Sequence, residues 1–261
     1  MNGWLSATAA VATLLAATAL FFFVVTRGAL LARQFAGVSD PSAHVYPIYS
    51  NMRLIKLVDW QPIISAILLF QYPRLVSRIV EGLRATDLTG KRVLITSCAF
   101  GNVIPRVVEA ALAAGAEKVL IADIIDNELQ HARGKLARYG DRVEYLVDNA
   151  TAMNLPNGTV HANIMFFLLH ELPHDLKGRA LSEAGRVLAP GGKLYLAEFH
   201  KPSLMLLKVL SWTYFKVFEP LGLALWDRLD PLKSLSATDG WRAQRETCLF
   251  DNFQVITATK T

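Results

Sequence analysis

The chain has 261 residues, a formal net charge of +5, 52% apolar residues and two cysteines. That length holds one α/β domain plus an appendage and buries a core without disulfide staples. Cys98 and Cys248 lie far apart with no CxxC spacing, which excludes a disulfide framework or a zinc site of that pattern and fits a reducing compartment. The positive balance favours an acidic surface, and with no Lys/Arg run or stacked aromatic motif that surface is an anionic membrane rather than nucleic acid.

Much of the apolar excess is N-terminal. No charged residue occurs from Trp4 to Val25, a stretch long enough to span a bilayer core as a helix. Arg27, Arg33, Arg53 and Lys56 follow it and no charge precedes it, so the positive-inside rule puts the rest of the chain in the cytoplasm. The expectation is a single-pass protein of the inner (cytoplasmic) membrane with residues 1–27 as a transmembrane anchor. A cleaved signal peptide is the competing reading, and an n-region without Lys or Arg argues against it. Residues 28–88 form a juxtamembrane linker and N-terminal cap helices. The broken apolar run within 51–84 reads as a membrane-interface helix, as a lid over an apolar pocket, or as a helix packed on the core.

From residue 90 strands and helices alternate. Strands are expected at 91–97, 119–123, 143–147, 162–168 and 194–198, and helices at 105–114, 127–139 and 175–188. This alternation implies a parallel sheet covered by helices on both faces. Two short runs at 247–250 and 253–257 around Asp251-Asn252 predict a closing hairpin. Residues 201–240 are a second apolar excess, rich in Leu, Phe and Trp. They are expected to form a helical cap over the carboxyl ends of the strands, where ligands of open α/β sheets bind. A roof this apolar suits a lipid-like substrate.

The chemistry concentrates at those strand ends. Residues 93–102 run from an apolar strand into a small-residue turn before a helix. Asp123 ends the second strand, where an acid accepts hydrogen bonds from the two ribose hydroxyls of a nucleoside. Asp148 and Asn149 follow the third strand, the place for a polar contact to an adenine. His170 and Glu171 follow the fourth strand; a histidine there can act as a general base or orient a carbonyl, and the carboxylate can hold its tautomer. His200, with Glu198, ends the fifth strand as a second His/carboxylate cluster. Arg186-Val187-Leu188-Ala189-Pro190-Gly191-Gly192-Lys193-Leu194 is a tight helix-to-strand turn that marks the fold and carries no chemistry.

The turn at 93–102 resembles the first motif of class I S-adenosylmethionine (SAM) methyltransferases, an acid followed by Gly-x-Gly-x-Gly. Here Ile95 stands at the acid position, Ser97 and Ala99 at the first two glycines, and only Gly101 remains. The 186–194 turn closely resembles the turn entering the fifth strand of the same class. The strings Cys98-Ala99-Phe100-Gly101, Phe167-Leu168-Leu169-His170-Glu171 and Phe199-His200-Lys201-Pro202 resemble the rhodoquinone-biosynthesis methyltransferase-like family, as does Phe218-Glu219-Pro220-Leu221. The likeness covers roughly residues 45–260. It implies SAM as cofactor, ubiquinone as acceptor, and an unusual amino transfer with a divalent metal such as Mn2+ assisting. Where that family pattern has an acid after the loop glycine, this chain has Asn102, and the N-terminal span is not part of the pattern.

Together these features predict an α/β protein with a Rossmann-like class I SAM methyltransferase sheet, a helical cap and an N-terminal transmembrane helix, with residues 89–261 as the SAM-binding domain. The expected function is a membrane-anchored SAM-dependent enzyme modifying a quinone or similar prenylated lipid, by amino or methyl transfer. The expected cofactor residues are Ser97, Ala99, Gly101, Asp123, Asp148 and Asn149, and the catalytic ones His170, Glu171 and His200, with no residue assigned to a metal. The alternatives are a non-catalytic SAM-fold scaffold of a membrane assembly, suggested by the altered loop, and a phospholipid or sterol methyltransferase.

Overall fold

The computed structural model describes residues 2–20, 49, 51–217, 219–237 and 240–261. Residues 21–27 of the expected span, most of the linker and Phe218 lie outside these. In the central sheet β1 (Arg92–Thr96), β2 (Lys118–Asp123), β3 (Val143–Val147), β4 (Val160–Phe166) and β5 (Leu188–Phe199) are parallel. The hairpin of β6 (Trp241–Cys248) and β7 (Phe253–Lys260) closes the edge, with β7 antiparallel to β5, giving the order β3-β2-β1-β4-β5-β7-β6. The three central strands are almost continuous apolar runs because both of their faces are covered. Side chains alternate along each strand, so Val93 and Ile95 join one core and Leu94 the other.

The first core is covered by three helices, α4 (Tyr72–Arg84), α5 (Val103–Ala113) and α6 (Asp126–Leu136). Two short helices precede them, α2 (Met52–Val58) and α3 (Gln61–Ile67). The second core is covered by α7 (His174–Val187) through Ala180, Leu181, Ala184 and Val187. The cap comprises α8 (Met205–Val217), α9 (Ala224–Asp227) and α10 (Pro231–Ser236).

Of the three readings open for 51–84, α4 takes the third: Leu75, Val76, Ile79 and Leu83 are buried against the sheet. Its approach is close. Tyr195 of β5 donates a hydrogen bond to the Gly82 carbonyl at 2.8 Å, and a Cβ on Gly82 would lie 2.5 Å from the Tyr195 ring.

Among the described residues no single helix is long and apolar enough to cross a membrane. The pair α3 and α4 has the length and composition, but it bends by 98° and α4 is committed to the sheet. The N-terminal helix α1 (Asn2–Leu20) leaves Val11, Leu14 and Leu15 exposed.

The hairpin differs from its expected limits. The strand expected at 247–250 begins at Trp241, and 249–252 is the turn, with positive φ at Leu249, Phe250 and Asp251. An edge strand with Arg242, Gln244 and Glu246 on its exposed face has too little apolar alternation to stand out from a loop.

Replacing Gly82 by Val forces apart a helix and a strand whose contact is pinned by the Tyr195 hydroxyl. The expected cost is about 1–3 kcal/mol. Thermal unfolding measures it, and an unchanged melting temperature would contradict this packing.

Candidate functional site

The β1 loop turns back on itself through two left-handed residues, Ser97 (φ +77°) and Gly101 (φ +82°). Only glycine is free of strain there, and a Cβ on Gly101 would also lie 2.5 Å from the Tyr72 hydroxyl. The N-terminal helices hold this loop. Gly101 N–H donates to Asp59 Oδ1 at 2.8 Å and Asn102 N–H to Gln61 Oε1 at 3.1 Å. The Tyr72 hydroxyl accepts from Val103 N–H at 2.6 Å and donates to the Phe100 carbonyl at 3.1 Å. From α6, Lys135 Nζ reaches both Asp59 oxygens, at 2.8 and 3.1 Å, and the Gly101 carbonyl. His131 Nε2 stands 3.0 Å from Asp59 Oδ2.

On the other side of the loop is a cleft of about 620 Å³, its solvent-open mouth included, lined among others by Ser97, Cys98, Asp123, Asp148, Asn149 and Glu128. Asp123 is buried at the end of β2. Its Oδ2 accepts Cys98 N–H at 2.6 Å and its Oδ1 accepts Ile125 N–H at 2.8 Å. The Ser97 and Cys98 side chains also reach this carboxyl. Burial raises the Asp123 pKa, and the Cys98 and Ile125 N–H donors oppose the rise. Asp148 is spent on its own turn, accepting from Asn149 N–H, Asn154 N–H and the Asn154 side chain. Asn149 Oδ1 likewise accepts from Thr151.

At the far end of the cleft the chain after β4 makes a single 3-10 turn, Leu169–Glu171. His170 Nδ1 meets Glu198 Oε1 at 3.1 Å, and His170 N–H donates to Glu198 Oε2 at 3.2 Å. Burial alone would lower the His170 pKa, but the Glu198 carboxylate outweighs it and lifts it to about 9. The ring is therefore an imidazolium at neutral pH. Glu171 accepts a hydrogen bond from the Tyr49 hydroxyl at 2.7 Å. Burial raises its pKa to about 7, with His170 opposing and Glu219 adding to the rise. Lys177 of α7, fully buried, donates to the Leu169 carbonyl and, at 2.6 Å, to that of Leu172, fixing the turn from behind. Burial lowers its pKa to about 8. Above the turn Phe167, Phe199 and Phe215 pack edge-on, with Tyr214 beside them.

Of the residues singled out in the sequence, Ser97, Asp123, Asp148, Asn149 and Glu171 share the cleft, and His170 adjoins Glu171. Ala99 and Gly101 are not among the lining residues. Glu198 pairs with His170, not with His200 as the sequence suggested. At His200 the chain leaves β5 for the cap, and the ring rests on the hairpin: its Nδ1–H donates to the Asp251 carbonyl at 2.8 Å while Arg245 donates to its Nε2 at 3.2 Å. With both ring nitrogens engaged, His200 has no free lone pair for a substrate proton. Sequence reasoning missed Tyr49, Asp59, Gln61, Tyr72, Glu128, Lys135 and Lys177. Glu128 had a signal: with Ala132 and Leu136 it lies on the buried stripe of α6, spaced by four. Among the described residues no three His, Cys, Asp or Glu side chains are grouped to hold a metal ion.

A parallel sheet in this order, reversed by an antiparallel seventh strand and with a strand-end acid over a cleft, is the architecture of class I SAM-dependent methyltransferases. The chain belongs to the ubiE/COQ5 methyltransferase family, whose model matches residues 59–238. It is 32% identical over 133 residues to the ubiquinone/menaquinone biosynthesis C-methyltransferase UbiE of Marinomonas sp. (strain MWYL1), a match covering 50% of this chain and 52% of that protein. The chain thus spans about half the length of the curated relatives it matches. Among solved structures, the CurJ carbon methyltransferase superposes with a TM-score of 0.61 at 18% identity, over 94% of this chain and 70% of that one. The N-methyltransferase NodS from Bradyrhizobium japonicum WM9, in complex with S-adenosyl-L-homocysteine, gives 0.52 at 12% identity, over 78% and 90%. At those identities the likeness is one of fold.

Asp59→Ala leaves the Gly101 N–H without its acceptor and the Lys135 ammonium with only the Gly101 carbonyl, an expected loss of about 1–3 kcal/mol. Hydrogen exchange should quicken at Gly101 and Asn102 ahead of the sheet. Unaltered exchange there would show that the N-terminal segment does not hold the loop.

Proposed function

We propose that this protein is a SAM-dependent C-methyltransferase acting on a prenylated quinol at a membrane. The observation that carries the reading is the continuity of the cleft from Asp123 to Glu171, with the Phe167 and Phe199 rings packed against His170 behind it. Asp123 would take the ribose hydroxyls, and the Asp148–Asn149 turn would face the adenine. When bound, SAM supplies an electrophilic methyl group on a sulfonium. Glu171 is the base: with its pKa raised to about 7 it is partly ionised at neutral pH and exchanges protons readily. It would take the proton of a quinol hydroxyl, raising electron density at the ring carbon. His170, held cationic by Glu198, would donate its remaining ring N–H to developing negative charge on the ring oxygen.

Membrane attachment is part of the proposal. Its support is the uncharged N-terminal stretch, the exposed apolar side chains of α1, and the net positive charge. Inner-membrane placement with the catalytic domain in the cytoplasm follows from the basic residues after that stretch. Deleting residues 1–27 should shift the protein from the membrane to the soluble fraction on vesicle flotation; equal flotation of both forms would refute the anchor.

The reading is tested by incubating the full chain with SAM and a demethylated quinol and following the product by mass spectrometry. Transfer should rise with pH and level off above about 7 as Glu171 ionises, and Glu171→Gln should lose about 10²–10⁴-fold in rate and the acid limb with it. A variant rate equal to the parent's would remove Glu171 from the chemistry. Amino transfer to ubiquinone is the second reading, favoured by Ile95 at the acid position and by the loop's single glycine. Formation of an aminoquinone from ubiquinone in the same assay, with and without Mn2+, would select it.

A further inference from the structure

Glu128 is a buried carboxyl at the wall of the cleft. It stands in the first turn of α6, is 3% exposed, and lines the cleft. Its Oε1 has no hydrogen-bond partner among the described residues. A buried polar atom without a partner is costly and rare, and an unpaired carboxyl oxygen at the wall of a ligand cleft is explained if the ligand supplies the partner. The Ile95 position, where the resembling motif carries an acid, is apolar and faces the core.

We propose that Glu128 is a cofactor-binding residue that gives up its proton when cationic SAM enters the cleft. The proposal rests on the reading of the cleft as a SAM site. The surroundings set the direction. Burial raises the Glu128 pKa to about 9, and the Asp123, Glu171 and Asp59 carboxylates add to the rise while Lys135 opposes it. Cys98 and Tyr49 also face it, both with raised pKa values and so neutral. In the free protein Glu128 is therefore protonated at neutral pH. SAM has a sulfonium and an ammonium against one carboxylate. A net positive ligand beside three carboxyls favours the ionised form, so the Glu128 pKa falls on binding. The proton goes to the buffer, and the new carboxylate accepts a hydrogen bond or charge from the ligand. By linkage, affinity rises with pH between the bound and free pKa values, roughly tenfold per pH unit where one whole proton is released.

The test is calorimetry of SAM binding to the full chain at pH 7.5 in buffers of different ionisation enthalpy, repeated with Glu128→Gln. The parent should release up to one proton more than the variant, and the variant should show a flatter rise of affinity with pH. Any proton lost by the ligand's own amino group is common to both and cancels. S-adenosylhomocysteine, whose sulfur is neutral, should release fewer protons than SAM from the parent protein, a readout that needs no variant. Equal release from parent and variant, or equal release with both ligands where the variant does not fold, overturns the role of Glu128 and leaves the SAM reading standing. No binding of SAM to the parent overturns both.

Discussion

The site depends on one carboxylate, that of Asp123. Its two oxygens take backbone N–H groups from different loops, Cys98 after β1 and Ile125 after β2. The connections on the two sides of β1 and β4 lead in opposite directions across the sheet, which opens the crevice in which ligands of such folds sit. Asp123 knits the β1 and β2 turns at that point. It closes their backbone donors and lines the cleft.

Around it the site gathers more acids than an interior usually tolerates: Asp123, Glu128, Glu171 and Glu198. Two devices keep them in place. Glu198 is balanced by the His170 imidazolium, and Glu128 and Glu171 are relieved by raised pKa values. Breaking a buried pair is far more damaging than the pair is stabilising, so Glu198 and His170 stand or fall together. Lys177 adds no partner for these acids in hydrogen-bond terms. Its ammonium goes to the Leu169 and Leu172 carbonyls, which fixes the backbone of the turn that presents His170 and Glu171. The result is a cleft of negative character, suited to a cationic cofactor.

The altered loop is supported by the residues before the sheet. The missing acid at Ile95 and the missing glycines at Ser97 and Ala99 leave a turn with one glycine, and Asp59, Gln61 and Tyr72 supply hydrogen bonds that brace it from outside. Ser97 accepts a positive φ within the same arrangement. The N-terminal cap is thus part of the loop's architecture, and α4 carries it on the sheet through Tyr195 and Gly82.

What the sequence by itself determined is what short-range pattern encodes. Unbroken apolar runs bounded by turns placed five parallel strands, and position at a strand end marked Asp123, Asp148 and His170 as facing one edge. The edge strand at Trp241 escaped because its polar outer face imitates a loop. Only the tertiary structure decided the pairings. Glu198 lies two residues from His200 but meets His170, because β4 and β5 run side by side and end together while the chain turns away at His200. Asp59 meets Gly101 across 42 positions and Tyr49 meets Glu171 across 122. Glu128 sits in the first turn of α6, and the acids that surround it there come from other elements of the fold. Periodicity reports which face a side chain takes; which charge stands opposite depends on strand order and helix docking, and those are settled by long-range packing.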